Sequence, residues 1–331
     1  MLDIGRQCAL ARSANAAIQP VPLDEGNSSG RRTALADWLV RKDHPLTARV
    51  FVNRIWHHHL GRGIVNTPND FGAMGAAASH PQLLDWLTVE LIHSGWDIKH
   101  LHQLVLLSST YQQQSRRRDQ AFEADPENRY LWRANRQRMD AEVLRDTMLQ
   151  LSGDLNGQAG GPGVRLPLHP ELARLQYKGS WHPHPDPLQH LRRSIYVFVK
   201  RNNRPALMES FDSPSTMASC GIRSHSTHAG QALALLNSSL SQRQSLRWAA
   251  RLQTQLGHRP ASWIGQIYQQ ALARPPTREE MRLGKRYLAE QQALIAADRQ
   301  AGATLTDDDR LLALADYCQV IMNLDEFLFV R

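Results

Sequence analysis

Apolar residues recur every three or four positions along most of this chain, the spacing that places them on one face of an α-helix. The pattern begins at Arg31, opens again at His80-Pro81 and ends at Gly95, and a further helix is predicted from about Asp97 to Gln114. It returns at Gln231, where one helix is predicted to run from Leu233 through Leu252. Later, Thr277-Arg278-Glu279-Glu280 has the sequence of a capping box that starts a helix. The pattern therefore predicts a mainly α-helical protein.

The sharpest separation of apolar from polar positions lies in the helix predicted over residues 138–155. One half of its helical wheel is apolar, and the other half carries Arg138, Glu142, Arg145 and Asp146. Two interpretations of this polar half stay open. It is a solvated or inter-helix salt network, or, if the helix is covered on both sides, it forms a catalytic pair.

The composition changes over residues 156–229, which hold eight of the 17 prolines and so cannot form long helices. A run of β-branched and aromatic residues from Ser194 to Val199 predicts one short strand with both faces covered. We expect two helical lobes around an irregular Pro/Gly-rich middle segment with a short β element. The predicted parts are a poorly ordered lead-in over 1–30, an N-terminal lobe over 31–155, the middle segment over 156–229, and a C-terminal lobe over 230–331.

Composition adds a basic character and excludes a membrane protein. The 331 residues include 39 Lys and Arg against 31 Asp and Glu, and only five of the basic residues are lysine. This balance favours anionic partners, and arginine is the better bidentate partner for carboxylate, phosphate and sulfate. No run of about 18 apolar residues predicts a membrane span, and no apolar segment near the start predicts a signal peptide.

Basic residues gather around the predicted strand, and they are the strongest candidates for a binding site. The predicted anion-binding residues are Arg192, Arg193, Lys200, Arg201, Arg204 and Arg223. Forked arginine contacts around one short strand would form a compact anion pocket. The alternative is that these cations pair with carboxylates of the flanking lobes.

The same segment holds the residues of a candidate hydrolase. Cys220 lies close in sequence to Arg223, and a cation lowers the pKa of a neighbouring thiol. With Asp212 and Glu209 it makes a weak catalytic set. The alternative is a buried structural cysteine that reacts slowly with thiol reagents.

Histidines suggest metal binding only weakly, and no metal or other cofactor is expected. Residues 57–59 are three consecutive histidines, which point 100° apart on a helix, and His59 falls on the apolar face. His182, His184 and Asp186 have the ligand types of a metal site but lie in a Pro-rich segment typical of an exposed loop. The three cysteines are too dispersed for a zinc site.

A series of short strings follows one order along the chain: RRTALADWLV, HPLTARVFVNRIW, GRGIVNTPNDFG, HPQLLDWL, SGWDIKHLH, DPENRYLW, RRSIYVFVKRN, ESFDSPSTMASC, QALALLNSS and ARPPTREE. Together they resemble the planctomycete secreted domain family, a family of unknown function, from about Arg31 to Arg331. The resemblance implies the C-terminal module of long exported proteins that often carry c-type cytochrome modules. This chain has no haem motif, and we expect it to be the terminal module alone or a truncated one.

These observations lead to three hypotheses about function. The first is a binding or scaffolding module of an exported, polysaccharide-related system, with an Arg-rich site for a sulfated or acidic polysaccharide. The alternatives are a hydrolase that uses Asp212, Cys220 and Arg223, and a nucleic-acid binder suggested by charge alone. The resemblance adds a possible protein partner similar to the family's upstream domain, and it favours an exported or periplasmic location.

Overall fold

The computed structural model describes residues 30–168, 173–174, 181–200, 204–304 and 306–330, and helices dominate them. Two compact units divide the chain, the first ending at Gln137 and the second running from Arg138 to Val330. The predicted boundaries of the two lobes, after residues 155 and 229, follow the density of proline and glycine along the chain. The two compact units instead follow the contacts between residues. The predicted lead-in lies outside the described residues, apart from Gly30.

The first unit is a set of short amphipathic helices. Its helices are α1 (Arg31–Leu39), α2 (Thr47–Leu60), α3 (Pro81–His93), α4 (Ile98–Leu106) and α5 (Asp119–Ala124). Val52, Leu84 and Leu101 bring α2, α3 and α4 together in one apolar core. Gly61 ends α2 with φ +79°, a left-handed conformation that glycine adopts at little cost.

The second unit holds the remaining helices and a two-stranded sheet. They are β1 (Gln137–Arg138), α6 (Ala141–Ser152), α7 (Ala206–Ser210), α8 (Ala229–Asn237), α9 (Ser239–Leu256), α10 (Pro260–Leu272), α11 (Arg278–Gln300), α12 (Asp309–Met322), α13 (Asp325–Leu328) and β2 (Phe329–Val330). The sheet pairs β1 with β2, the first and last elements of this unit. The predicted capping box is confirmed, because Thr277 and Glu280 bond reciprocally at the start of α11.

One apolar core holds the second unit together. Helix α9 lies between α6 and α12, and its Trp248 and Leu252 are fully buried. Leu144 of α6 and Leu314 of α12 are fully buried in the same core. Burying a side chain of this size contributes about 1.5–3 kcal/mol, so the predicted apolar faces account for the packing of the bundle.

The fold class predicted from the sequence is confirmed, but the position of its β element is wrong. Residues Ser194–Tyr196 form a turn of 3₁₀-helix, and Ile195 is 75% exposed. Within the predicted strand, Val197 forms an isolated bridge with Val164. The backbone turns here because Asp146 of α6, 48 positions earlier in the chain, accepts a hydrogen bond from the Ser194 N–H, and this side-chain bond takes the place of a strand ladder.

Three helices of the structure are shorter than the sequence predicts. The helix predicted from about Asp97 to Gln114 ends at Leu106, where the Ser108 hydroxyl donates to the Val105 carbonyl. The helix predicted over 138–155 begins only at Ala141, since Arg138 belongs to β1. The helix predicted to run on from Leu233 breaks at Ser238, whose side chain caps α9.

Among the described residues, no helix is long and apolar enough to cross a membrane.

Candidate functional site

The polar face of α6 is covered by the middle segment, and Arg145 is the centre of the contact. Arg145 is only 5% exposed. Its guanidinium donates to the carbonyls of His190 and Arg192 at 2.6 and 2.9 Å and to the Ser194 hydroxyl at 3.1 Å. The solvated interpretation of this face is therefore wrong at Arg145, which stabilises backbone that lies outside the α-helices and the two-stranded sheet.

Asp146, the next residue on α6, makes the complementary contacts. Its carboxylate accepts from the Ser194 N–H at 2.8 Å and from the Ser194 hydroxyl at 2.7 Å. The Arg193 guanidinium lies 3.9 Å away and is 63% exposed. Arg145 and Asp146 are consecutive residues of α6. The first donates to backbone carbonyls of the middle segment, and the second accepts from one of its backbone N–H groups.

Arg192 belongs to the predicted anion site, but its own side chain is committed to the protein. It is 3% exposed, its guanidinium donates to the carbonyls of Gln158 and Gly160, and it stacks on the Tyr196 ring at 4.0 Å. The side chain joins two stretches of irregular chain. Its donors are therefore directed at backbone carbonyls.

A second contact of this kind joins Arg138 to the loop that follows α7. The buried Arg138 guanidinium donates to Asp212 at 2.9 Å and to the carbonyls of Phe211 and Ser226. Asp212 also accepts from the N–H and the hydroxyl of Ser226, at 2.8 and 2.7 Å. Gln231 of α8 donates to the Ser226 carbonyl at 3.1 Å, so both ends of the loop are held at one point.

Asp212 has two features that set its role. Its φ is +58°, a left-handed conformation that Asp and Asn tolerate better than most residues. Hydrogen bonds from Ser226 and from Arg138 lower the pKa of Asp212 to about 2. A carboxylate with such a pKa is ionised at neutral pH and is a poor general acid or base, because efficient proton transfer needs a pKa near the working pH.

Glu142 of α6 and Arg223 form a third contact with the middle segment. The Arg223 guanidinium donates to both oxygens of Glu142, at 2.7 and 3.2 Å, and lies 3.5 Å from Asp140. Burial opposes ionisation of Glu142, but the hydrogen bonds and the charge of Arg223, together with a backbone hydrogen bond, keep the pKa of Glu142 below its usual value. The pair is half-buried and bidentate, the stronger arrangement for arginine and carboxylate.

The remaining predicted anion-binding residues have mixed positions. Arg204 donates to the Ser213 carbonyl at 2.8 Å and lies 3.8 Å from the exposed Glu209. Arg193 is more exposed than Arg192, Arg204 or Arg223. Lys200 lies three residues after Val197. Arg201 lies outside the described residues. The cations surround the segment without converging on one described cavity.

Cys220 lies on the surface, so the expectation of a buried structural cysteine is wrong for it. Its thiol donates to the Ile222 carbonyl at 3.2 Å, while Cys318 in α12 is buried. Burial raises the pKa of the Cys318 thiol. Asp212 and Cys220 thus bond to different partners, and Glu209 pairs with Arg204 instead of with either of them.

The histidine candidates are held by local backbone contacts. His184 Nδ1 accepts from the Asp186 N–H at 3.1 Å, and Asp186 accepts in turn from the Leu188 N–H at 2.9 Å. His182 is exposed. In the first unit, His59 bonds to His102 at 2.7 Å. Within the described part of the chain, no three His, Cys, Asp or Glu side chains are grouped so that they could hold a metal ion.

Three residues of the site were missed from the sequence: Ser194, Ser226 and Gln231. Each is a neutral polar residue in a contact that closes only when distant parts of the chain meet. The signal for Gln231 was its position at the start of an apolar helix, where it is 7% exposed. A polar residue on an apolar helical face often bonds to neighbouring backbone, but the sequence does not name its partner.

One family model matches most of the chain. It is described as PSD1, a protein of unknown function (DUF1553), and it matches residues 31–288. The match contains α6, the middle segment and α8, and so the whole set of contacts described above. It confirms the family of unknown function predicted from the short strings. No curated protein and no solved structure matches the chain.

Proposed function

The chain belongs to the PSD1 (DUF1553) family of proteins of unknown function, and we propose that this member is a binding module for an anionic ligand rather than a hydrolase. The observation that carries the proposal is the commitment of the charged groups on α6. Arg145, Asp146 and Glu142 each hold the middle segment in place. They support a surface, and none is free to transfer a proton.

The hydrolase alternative is weakened because Asp212 is unsuited to acid–base catalysis. Asp212 accepts hydrogen bonds from Arg138 and Ser226 and stays ionised down to a pH of about 2. Cys220 needs a base within hydrogen-bond reach to act as a nucleophile, and its thiol contact is the Ile222 carbonyl. A nucleophile and its base must lie within hydrogen-bond reach, whereas Asp212 bonds to Arg138 and Ser226 instead of to Cys220.

Binding of an anion is favoured by the cations that stay at the surface. Arg193 is 63% exposed and only loosely paired, and Arg204 lies on the same segment. The chain as a whole has an excess of basic residues. The resemblance to an exported family favours a sulfated or uronic-acid oligosaccharide as the ligand. Nucleic acid is less suitable because it needs phosphate contacts spread along a groove.

Calorimetric titration tests the proposal. A sulfated or uronic-acid oligosaccharide should bind more tightly than duplex DNA at physiological salt. Replacing Arg193 or Arg204 with Ala should weaken binding by about 1–3 kcal/mol, the range for hydrogen bonds to charged groups. Arg243→Ala is the matched control, since Arg243 is an exposed cation on α9 outside the middle segment.

Two results would refute the proposal. Tighter binding of DNA with a steep salt dependence would favour the nucleic-acid alternative. Hydrolysis of an ester or amide that is lost in Cys220→Ser but kept in Arg193→Ala would favour the enzyme.

A further inference from the structure

The end of the bundle formed by α10, α11 and α12 holds a cavity of about 320 Å³ that includes no residue of the middle segment. Its lining includes His258, Trp263, Lys285, Leu288, Gln292 and Arg310. The first two lie at or just before the start of α10, the next three on α11, and the last on α12. The cavity is thus built on three helices of one core.

The charges around this cavity have one sign. The side chains of Lys285 and Arg310 make no ion pair or hydrogen bond with any other described residue. No carboxylate lines the cavity. Asp309 precedes Arg310, but Arg299 of α11 holds it at 2.8 Å. By contrast, the half-buried Arg274 of the same unit is paired with two glutamates. Two unpaired cations at the mouth of a cavity favour an anion there.

The floor of the cavity is apolar. Trp263, Leu288 and Ala313 line it and are almost fully buried. The Trp263 indole N–H donates to the Gly257 carbonyl at 2.8 Å, so it is not available to a ligand. Gln292 supplies a neutral amide. A ligand that fits has an acidic group at the cationic mouth and a compact body with a carbon-rich face on the floor.

We infer that this cavity binds a small organic anion, a carboxylate or sulfate ester on a body about the size of one ring. Lys285 and Arg310 bind the acidic group, and the ring covers Trp263 and Leu288. An aromatic acid and a single acidic sugar share this chemistry. The inference is separate from the proposed function, which concerns the middle segment.

Titration of the purified full chain by calorimetry or ligand-observed NMR tests the inference with matched pairs. Benzoate is compared with benzamide, and glucuronate with glucose, with inorganic sulfate as the anion that lacks a ring. The acid of at least one pair should bind about tenfold more tightly than its neutral partner and than sulfate. Binding of benzoate would identify the ligand as an aromatic acid, and binding of glucuronate would identify it as an acidic sugar. Equal binding of acid and neutral partner, or binding of sulfate alone, would overturn the inference.

Variants locate the site. Lys285→Met and Arg310→Met should each weaken binding of the acid about tenfold, while Arg243→Met removes a cation outside the cavity and should leave binding unchanged. Ala289→Phe fills the cavity from an exposed position and should abolish binding without loss of charge. Binding that survives Ala289→Phe, or that is weakened equally by Arg243→Met, would contradict a site in this cavity. Loss of oligosaccharide binding in Arg193→Ala with acid binding intact would separate the two sites.

Discussion

The helical bundle of α9 to α12 and the described residues of the middle segment over 156–229 satisfy their backbone polar groups in opposite ways. In the bundle, the helices bond their own N–H and C=O groups, and burial of apolar faces packs them together. The described part of the middle segment has little regular structure, and buried side chains from β1, from α6 and from the segment itself supply the missing partners. Arg138, Arg145 and Arg192 alone donate to six backbone carbonyls.

The comparison shows that an arginine-rich sequence is not by itself a binding surface. A guanidinium has five N–H donors in a fixed fork, and it serves a set of loop carbonyls as well as it serves a phosphate. An unpaired buried carbonyl costs about 1–3 kcal/mol, so a proline-rich segment covering a helix needs such donors. Cations matter for ligands where they remain unpaired, as Lys285 and Arg310 are within the described residues.

The largest effect is expected in the bundle. Trp248→Ala should lower the free energy of unfolding by about 3–5 kcal/mol, because Trp248 is fully buried in α9 and its removal leaves a cavity. Denaturant unfolding followed by circular dichroism measures the change, which should not depend on salt. A loss below 1 kcal/mol would show that the bundle does not rest on this core.

In the middle segment the test is a substitution that keeps the charge. Arg145→Lys should lower the free energy of unfolding by about 2–3 kcal/mol, since an ammonium group cannot reproduce the forked bonds to His190, Arg192 and Ser194. Arg243→Lys, at an exposed position, should change it by less than about 0.5 kcal/mol. If both substitutions had the same small effect, charge rather than geometry would explain the role of Arg145.

The smallest effect concerns acid stability at Asp212. Its pKa is about 2 in the folded protein against an ordinary value of 3.8, so its stabilisation is complete above that ordinary value and is lost as pH falls towards 2. Because the side chain is partly exposed and solvent weakens the interaction, the contribution is about 1 kcal/mol. Asp212→Asn keeps the left-handed backbone and removes the titration.

The measurement for Asp212 is the difference in unfolding free energy between the wild type and Asp212→Asn at several pH values. The wild type should be more stable at pH 6, and the difference should shrink between about pH 4 and pH 2. A difference that stays constant over this range would contradict an ion pair with Arg138.

The candidate site was predictable only in part. Arg145, Asp146, Asp212 and Arg223 stood out by residue type and by position on a helix or in a loop. Their partners did not, because contacts such as Arg145 with the His190 carbonyl join residues 45 positions apart and involve backbone atoms that every residue has. The exposure of Cys220 was missed for the same reason, since the course of its loop depends on Arg138 and Gln231.

The sequence by itself determined the helical class, the capping box at Thr277 and the irregular character of the middle segment. These follow from local rules, namely the period of apolar positions, side-chain capping and the restrictions that proline and glycine impose. Only the tertiary structure decided that the segment from Ser194 turns instead of forming a strand, and that Arg145 is buried. Both depend on which polar groups meet across the chain, and the pattern of residue types does not record that pairing.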